Sequence, residues 1–208
     1  MAILIGLDLG QRSESTGLCV AEHERRSVGS RQETHFVVRH LERLPMGTPY
    51  PQLAKRACEV AKKARARSGR QGSLYLDATG LGDPIVDLVR AEVAGEAHVV
   101  PVYFTFGDRR VEEGRVRDQR VILGKAWLVS RLQVLLQTGC LHLPRTSESE
   151  TLARELLEYE IRVDEQANDR YGAFRVGRHD DLVTALGLAV QPLPRQVRCG
   201  QAVVGAWG

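Results

Sequence analysis

The chain has 208 residues, of which 43% are hydrophobic and 26% charged, with a formal net charge of +3; this composition is typical of a globular protein with one well-packed core. The four cysteines, Cys19, Cys58, Cys140 and Cys199, form no CxxC or Cys/His pair, which disfavours a zinc site and a disulfide framework. The sequence shows neither a signal-peptide pattern nor an apolar run of membrane-spanning length, so we expect a cytoplasmic protein without a membrane partner.

The first part of the chain predicts three strands and a helix. Residues 2–9 are apolar on both faces, which is typical of a central strand. Residues 16–22 are predicted to return antiparallel to that strand, and residues 34–44 to form a third strand after a polar connection. A helix is then predicted from Pro51 to Ser68, because apolar residues recur at helical spacing between them.

Strands and helices alternate in the rest of the chain. The predicted strands are residues 73–77, 98–105 and 173–176, with a short extended piece at 140–144. The predicted helices are residues 84–93, 122–137, a segment beginning at Ser147 or Ser149, and 180–190, whereas the charged residues 107–120 are predicted to be a loop. This order predicts an α/β fold with a mixed central sheet, an antiparallel front hairpin followed by parallel strands, and helices on both faces. We expect one domain over residues 1–191 and a C-terminal tail over residues 192–208.

Three short acidic signatures stand far apart in the chain. Asp8 and Asp77 each close an apolar run that is predicted to be a buried strand, whereas Asp180 and Asp181 open the last predicted helix. In an open α/β sheet, strand C-termini and helix N-termini gather at one edge, where ligands usually bind. Carboxylates that meet there repel one another unless cations intervene, and hard oxygen ligands favour Mg²⁺ or Mn²⁺. The pattern therefore predicts a phosphodiester hydrolase that uses two divalent cations.

Each of these acids also has a purely structural alternative. Asp8 could cap the turn after its strand, and Asp77 could initiate a turn, as aspartate before a glycine-containing segment often does. Asp180 and Asp181 could serve as the N-cap and a first-turn acid of the last helix. Small residues follow Asp181 at helical spacing, beginning with Ala185, so this helix face could press close to a sheet and place Asp181 at the sheet edge.

Three motifs, in this order, carry a resemblance to a known family. Asp-x-Gly at Asp8, Leu-Asp-Ala-Thr-Gly-x-Gly at Asp77 and His-Asp-Asp-Leu-Val-x-Ala-Leu at Asp181 resemble the nuclease domain of phage terminase large subunits, over residues 3–189. Between them, the segments 139–144 and 155–156 are also similar to that family. The resemblance implies an RNase H-like fold and metal-dependent cleavage of double-stranded DNA during genome packaging, in the cytoplasm of a bacterial host.

The same resemblance implies roles for individual residues and for partners. By matching position, Asp8, Asp77 and Asp181 would be catalytic metal ligands for two Mg²⁺ or Mn²⁺ ions, with Asp180 as an auxiliary ligand. A packaging ATPase, a small terminase subunit or a portal would be partners. The chain lacks a GxxxxGK[ST] phosphate loop, so we expect either an excised nuclease domain or a stand-alone relative without a motor. Glu14 stands where relatives often have aspartate, which leaves its role open.

Basic residues suggest where DNA would bind. One cluster lies on the helix predicted over residues 51–68, where a solvated face is an equally good explanation. The other cluster lies in the predicted loop and comprises Arg109, Arg110, Arg115, Arg117 and Arg120. Because the preceding strand should end near the acidic edge, we expect this loop to contact phosphates, without sequence preference and with sensitivity to salt. Lys125 could reach phosphate as well.

Three other interpretations stay open. A Holliday-junction resolvase-type nuclease would share the fold and the metals but cut branched DNA, usually as a dimer. An actin-like phosphotransferase is suggested by the phosphate-binding pattern of Asp8-Leu9-Gly10 with Thr16-Gly17, although such proteins need two domains of this kind. A DNA-binding or assembly module without catalysis is disfavoured by the intact acids.

Overall fold

The computed structural model describes residues 2–10, 14–115, 118–158, 160–163, 169–172 and 180–192. The strands of the main sheet are β1 (Ala2–Asp8), β2 (Thr16–Val28), β3 (Arg31–Leu44), β4 (Gly72–Asp77), β5 (Ala97–Thr105), β6 (Arg110–Glu113), β7 (Arg120–Gly124) and β8 (Leu141–His142). A separate antiparallel pair consists of β9 (Glu160–Val163) and β10 (Asp169–Gly172). The helices are α1 (Tyr50–Ser68), α2 (Asp83–Glu92), α3 (Lys125–Gln137), α4 (Ser147–Glu158) and α5 (Asp181–Val190). Within this described part of the chain, no helix is long and apolar enough to cross a membrane.

The main sheet is mixed, with its eight strands in the order β6-β7-β5-β4-β1-β2-β3-β8. Strands β1, β4, β5 and β7 run parallel to one another, whereas β2 lies antiparallel to both β1 and β3. The predicted α/β class, with an antiparallel front hairpin followed by parallel strands, is therefore confirmed. Because the parallel strands end at the same edge of the sheet, that edge collects their C-terminal residues.

Helices cover both faces of the sheet, as predicted. One core packs α1 and α2 against the face that carries Ile5, Leu7 and Leu74. The second core packs α3, α4 and α5 against the opposite face, where Leu4 and Phe36 lie. Strand β1 thus contributes apolar side chains to both faces, which explains why its sequence is apolar at consecutive positions instead of alternating.

The segment from residue 107 to residue 124 differs from the predicted loop and helix start. It contains β6 and β7, an antiparallel hairpin at one side of the sheet, and α3 begins only at Lys125. Val121 and Leu123 are fully buried while Arg120 is exposed, so β7 has the alternation of a strand. We missed this short alternation because it runs directly into the leucine-rich pattern of α3. Strand β6 is largely exposed and has no apolar alternation to reveal it.

Strands β2 and β3 form a longer ribbon than predicted. The polar residues 23–33 were expected to connect them, but the strands continue to Val28 and resume at Arg31, with Gly29 at a φ of 61° in the turn between them. Cross-strand ion pairs such as Arg39 Nη2 to Glu22 Oε2, at 2.6 Å, stabilise polar residues on the ribbon without burial in a core. The turn end of the ribbon lies at the edge of the sheet opposite to the C-termini of β1 and β4.

Some predictions lie outside the described residues. These are the strand over residues 173–176 and the part of the C-terminal tail beyond residue 192, as well as the side chain of Arg117. The domain boundaries of residues 1–191 and 192–208 therefore stay a prediction. The extended piece expected at residues 140–144 is confirmed as β8, which pairs in parallel with β3 through Phe36 and Leu141.

Candidate active site

Asp8 and Asp77 lie side by side at the C-terminal edge of the sheet. They are the last residues of β1 and β4, and the register between these strands pairs Leu7 with Leu76, one position before the two acids. Neighbouring strands are about 4.8 Å apart, so the two carboxylates leave the sheet from adjacent positions. The predicted convergence of Asp8 and Asp77 is thus a direct consequence of two parallel strands that end at the same level.

Helix α5 brings Asp181 to the same edge. Gly17 lies opposite Asp8 in the β1–β2 ladder, and a Cβ atom on Gly17 would overlap the backbone carbonyl of Asp181. A Cβ atom on Gly6 would likewise overlap the carbonyl of Ala185, one turn later. The absence of side chains on these glycines lets α5 lie directly on the backbone of β1 and β2. As the small residues of α5 suggested, Asp181 therefore lies at the sheet edge, where it is 6% exposed.

A network of three other side chains holds the Asp181 carboxylate. The hydroxyl of Ser15 donates a hydrogen bond of 2.5 Å to Asp181 Oδ2, and Arg43 Nε lies 3.4 Å from the same oxygen. The guanidinium of Arg43 also pairs with the buried carboxylate of Glu155 on α4. Residues from the β1–β2 turn, the end of β3 and α4 therefore orient a single carboxylate of α5.

Glu155 also takes over the N-terminal capping of α5. Its Oε2 accepts the backbone N–H groups of Leu182 and Val183, at 3.1 and 3.3 Å, and so satisfies two donors that a helix start leaves open. Asp180 is the N-cap residue by position, but its side chain makes no capping hydrogen bond. Asp180 is therefore not a conventional N-cap, which was its structural alternative. The half-buried side chain of Asp180 lies among the acidic residues of the edge.

The charges at this edge are poorly balanced. Burial raises the pKa of Asp8 well above its ordinary value, and the carboxylates of Asp77, Asp181 and Asp180 raise it further, while Lys125 lowers it. Burial also raises the pKa of Asp77, against hydrogen bonds from Thr79 and the charge of Lys125. The backbone N–H of Thr79 donates to Asp77 Oδ1 at 2.8 Å, so the predicted turn-initiating role of Asp77 exists alongside its place in the cluster.

These carboxylates form an oxygen-only set of possible metal ligands, and they are spread out. Among the described residues, a group of His, Cys and Glu ligand atoms that all lie within 4.8 Å of one another is found elsewhere, on β3 and just before β8. The acidic edge is therefore not a tight cage around one ion. Glu14 is exposed and close enough to raise the pKa of Asp77, so it borders the cluster without joining it.

The arginines proposed to contact DNA have different environments. Arg109 is exposed, and its backbone carbonyl accepts the N–H of Gly124, directly before Lys125, which places it beside the acidic edge. Arg115 is also exposed. The side chain of Arg110 is only 7% exposed, and it donates to Gln191 Oε1 and Glu112 Oε1, both at 2.5 Å, so it stabilises the fold locally and is poorly placed to reach DNA. Arg117 lies outside the described residues.

Three residues of the site were missed as functional candidates. Ser15 and Arg43 have no motif around them, and their partner Asp181 is more than a hundred residues away in sequence. Glu155 was noted only within a segment similar to terminase nucleases, without a role. The one sequence signal for Glu155 was a charged residue on the apolar face of a helix beside Leu152 and Leu156, where a buried acid needs a partner.

Comparison with solved structures supports the fold. The chain is similar to the large terminase nuclease of thermophilic phage G20c with bound magnesium, at a TM-score of 0.60 and 21% identity, covering 91% of this chain and 80% of the other. It is also similar to the manganese-soaked terminase nuclease domain of human cytomegalovirus, at a TM-score of 0.57 and 13% identity, covering 90% and 80%. The large terminase of bacteriophage HK97 matches at a TM-score of 0.50 and 15% identity, over 91% of this chain and 39% of that protein. No protein-family model and no curated protein matches the sequence.

Proposed function

We propose that the chain is a metal-dependent endonuclease that cuts double-stranded DNA during the packaging of a phage genome. The observation that carries this proposal is the convergence of Asp8, Asp77 and Asp181 at one sheet edge, where burial and the neighbouring carboxylates raise the pKa of Asp8 although Lys125 lies close by. The fold is that of terminase nucleases, and structures of that fold from phage G20c contain magnesium or cobalt. A hard-cation site is the simplest way to balance such a set of oxygen ligands.

The proposed ligands are Asp8, Asp77 and Asp181, with Asp180 as an auxiliary ligand, and the proposed cofactors are two Mg²⁺ or Mn²⁺ ions. The donor set fits these ions because it consists of carboxylate oxygens on three different elements. Carboxylates from separate elements would supply the negative charge that a pair of ions about 3.5–4 Å apart needs. When bound, such a pair activates a water molecule and stabilises the leaving oxygen of a phosphodiester.

The side chains around the ligands have supporting roles in this proposal. Ser15 and Arg43 hold Asp181 Oδ2 in place, so that the carboxylate needs little reorganisation when a cation binds. Lys125 lowers the pKa of both Asp8 and Asp77 and so partly offsets the burial that raises them. Arg109 is exposed beside the edge and would contact DNA phosphates, with Lys125 close to the scissile group. Arg115 is exposed in the turn between β6 and β7 and would contact phosphates farther along the duplex. A packaging ATPase, a small terminase subunit or a portal would be partners in the larger assembly.

Cleavage of supercoiled plasmid tests this function. The purified chain should convert plasmid to nicked and linear forms in Mg²⁺ or Mn²⁺ and should be inactive in EDTA. Asp8→Asn and Asp181→Asn should each abolish cutting while circular dichroism and the melting temperature show a folded protein. Asp87→Asn is a matched control, because Asp87 is an aspartate on α2 whose side chain is 70% exposed and pairs with Arg90 on the same helix.

Two results would contradict the proposal. Normal cutting by both Asp8→Asn and Asp181→Asn would remove these residues from the ligand set. Cleavage of four-way junctions in preference to linear duplex would replace the packaging role with junction resolution. The number of ions is tested separately, by calorimetric titration with Mn²⁺, where the wild type should bind two ions and Asp8→Asn should lose at least one of them.

A further inference from the structure

A second group of possible metal ligands lies at the other end of the ribbon, between β3 and β8. One ligand atom each from Glu33, His35 and Cys140 lies within 4.8 Å of the other two. His35 and Cys140 are buried, and Glu33 is half-buried. Arg43 stands eight positions after His35 on β3, a distance of about 26 Å along an extended strand, so this group is remote from the acidic edge.

The hydrogen bonds around His142 determine which nitrogen of His35 carries a proton. Arg26 Nη1 lies 3.3 Å from His142 Nε2, and because a guanidinium can only donate, this Nε2 is the accepting nitrogen. His35 Nδ1 lies 2.9 Å from the same Nε2 and must therefore donate its hydrogen to it. In the neutral ring of His35, the remaining nitrogen, Nε2, then carries the lone pair.

A carboxylate lies close to this nitrogen. His35 Nε2 lies 3.5 Å from Glu33 Oε2 and makes no hydrogen bond, although the side chain of His35 is only 9% exposed. Two such electron-rich atoms repel each other unless a proton or a metal cation lies between them. The separation also suits such a cation: with metal–ligand bonds of about 2.0–2.2 Å, two ligands of a tetrahedral zinc ion are about 3.4 Å apart.

We propose that Glu33, His35 and Cys140 bind one zinc-class divalent ion through a carboxylate oxygen, Nε2 and Sγ. On binding, the S–H bond of Cys140 breaks, its proton passes to water, and the thiolate forms the bond to the metal. Water completes a four-coordinate site. A mixed nitrogen, sulfur and oxygen set selects Zn²⁺ or Co²⁺ over Mg²⁺.

The surroundings support a structural role for this ion. The hydrogen bond from His35 Nδ1 to His142 fixes the ring of His35, as partners behind metal-binding histidines commonly do. The backbone N–H of Phe36 donates to the carbonyl of Cys140 at 2.8 Å, so the two ligand-bearing segments are already paired. A bound ion would connect β3 to the short strand β8 and to the turn after α3. The cysteine spacing disfavoured zinc because these ligands come from separate elements, not from a CxxC motif.

Cobalt binding to the whole chain tests the site. The metal-free protein is titrated with Co²⁺ in excess Mg²⁺, so that oxygen-only sites are occupied by Mg²⁺. A thiolate–cobalt charge-transfer band should appear, saturate at one ion per chain and disappear on addition of Zn²⁺. Cys140→Ser should abolish the band, whereas Cys58→Ser, which changes a buried cysteine of α1, should keep it. Zn²⁺ should also raise the melting temperature of the wild type but not that of Cys140→Ser.

Two further variants guard against misfolding of Cys140→Ser. Glu33→Gln alters a side chain that is 39% exposed and should lower the Co²⁺ affinity by at least about tenfold. His142→Ala removes the partner of His35 Nδ1 and should lower the affinity about 10- to 100-fold. Absence of the band in the wild type, or its persistence in Cys140→Ser, would overturn the proposal. None of these outcomes depends on DNA cleavage, so the experiment tests this metal site independently of the proposed nuclease activity.

Discussion

The close contact between Gly17 on β2 and the first residue of α5 provides a sharp test of how Asp181 is positioned. In Gly17→Ala, the new Cβ atom would lie 2.1 Å from the carbonyl oxygen of Asp181 and 2.6 Å from its carbonyl carbon. Ordinary contact begins near 3.4 Å, so α5 must move away from β2 by about 1.3 Å at this point. The obstructing atoms belong to the backbone and cannot rotate aside, so the movement displaces the Asp181 carboxylate itself.

A displacement of this size should affect activity more than folding. Overpacking by one methyl group commonly costs about 1–3 kcal/mol of unfolding free energy, which a stable domain tolerates. A misplacement of about 1 Å at a reacting centre can lower the rate about 10²-fold. We therefore expect Gly17→Ala to fold, with a lower midpoint in urea, and to cut plasmid about 10²-fold more slowly in saturating Mn²⁺.

Gly187→Ala is the matched control on the same helix. Its Cβ would lie 2.5 Å from side-chain atoms of Leu128 on α3, which can repack without moving the N-terminus of α5. It should lose a similar amount of stability and retain cleavage within a few-fold of the wild type. If Gly17→Ala is folded and cuts at the wild-type rate, the close packing of α5 on β2 does not position Asp181 for catalysis.

Three other predictions concern charge. Asp8 binds a proton more tightly in the folded than in the unfolded chain, so the metal-free wild type should lose stability as pH rises from near 3.8 to the raised pKa. The loss should be about 1.4 kcal/mol per tenfold difference in proton affinity. Asp8→Asn should reduce this loss when unfolding by urea is measured in EDTA, and equal pH slopes for the two proteins would refute the prediction. Glu155→Gln should lower the unfolding free energy by about 1–3 kcal/mol, since it breaks the pair with the partly exposed Arg43; an unchanged urea midpoint would contradict this. Replacing Arg109 and Arg115 by alanine should reduce the slope of log affinity for duplex DNA against log salt by about 0.9 per lost phosphate contact; an unchanged slope in fluorescence anisotropy would exclude both contacts.

Much of the acidic edge could be predicted because it follows from local sequence. Asp8 and Asp77 end apolar runs, and two adjacent parallel strands necessarily bring such residues together. The position of Asp181 was predicted from the small residues of the last helix, and the structure adds the glycines of the first two strands that permit the close packing. In each case a short sequence pattern determines the position of a strand or helix, and this position in turn determines where the acidic side chain at its end lies.

The residues that support the edge could not be predicted in this way. The network around Asp181 forms only after four separate elements have assembled. It consists of Ser15, Arg43 and Glu155, and no spacing in the sequence indicates that these residues come together. The start of α3 was placed too early for a related reason. Ile122 fits the apolar pattern of the following helix, and only its pairing with Tyr103 on β5 shows that it belongs to a strand.

The two candidate metal sites differ in donor chemistry, and this difference makes them separable. The acidic edge offers only carboxylate oxygens, which suit Mg²⁺ and Mn²⁺, whereas the cluster of Glu33, His35 and Cys140 offers nitrogen and sulfur, which suit Zn²⁺. Because the two places are about 26 Å apart along β3, salt at physiological concentration largely screens the charge of an ion at one end from the other. Activity should therefore follow the concentration of Mg²⁺ or Mn²⁺, and thermal stability that of Zn²⁺, with neither changing the dependence of the other.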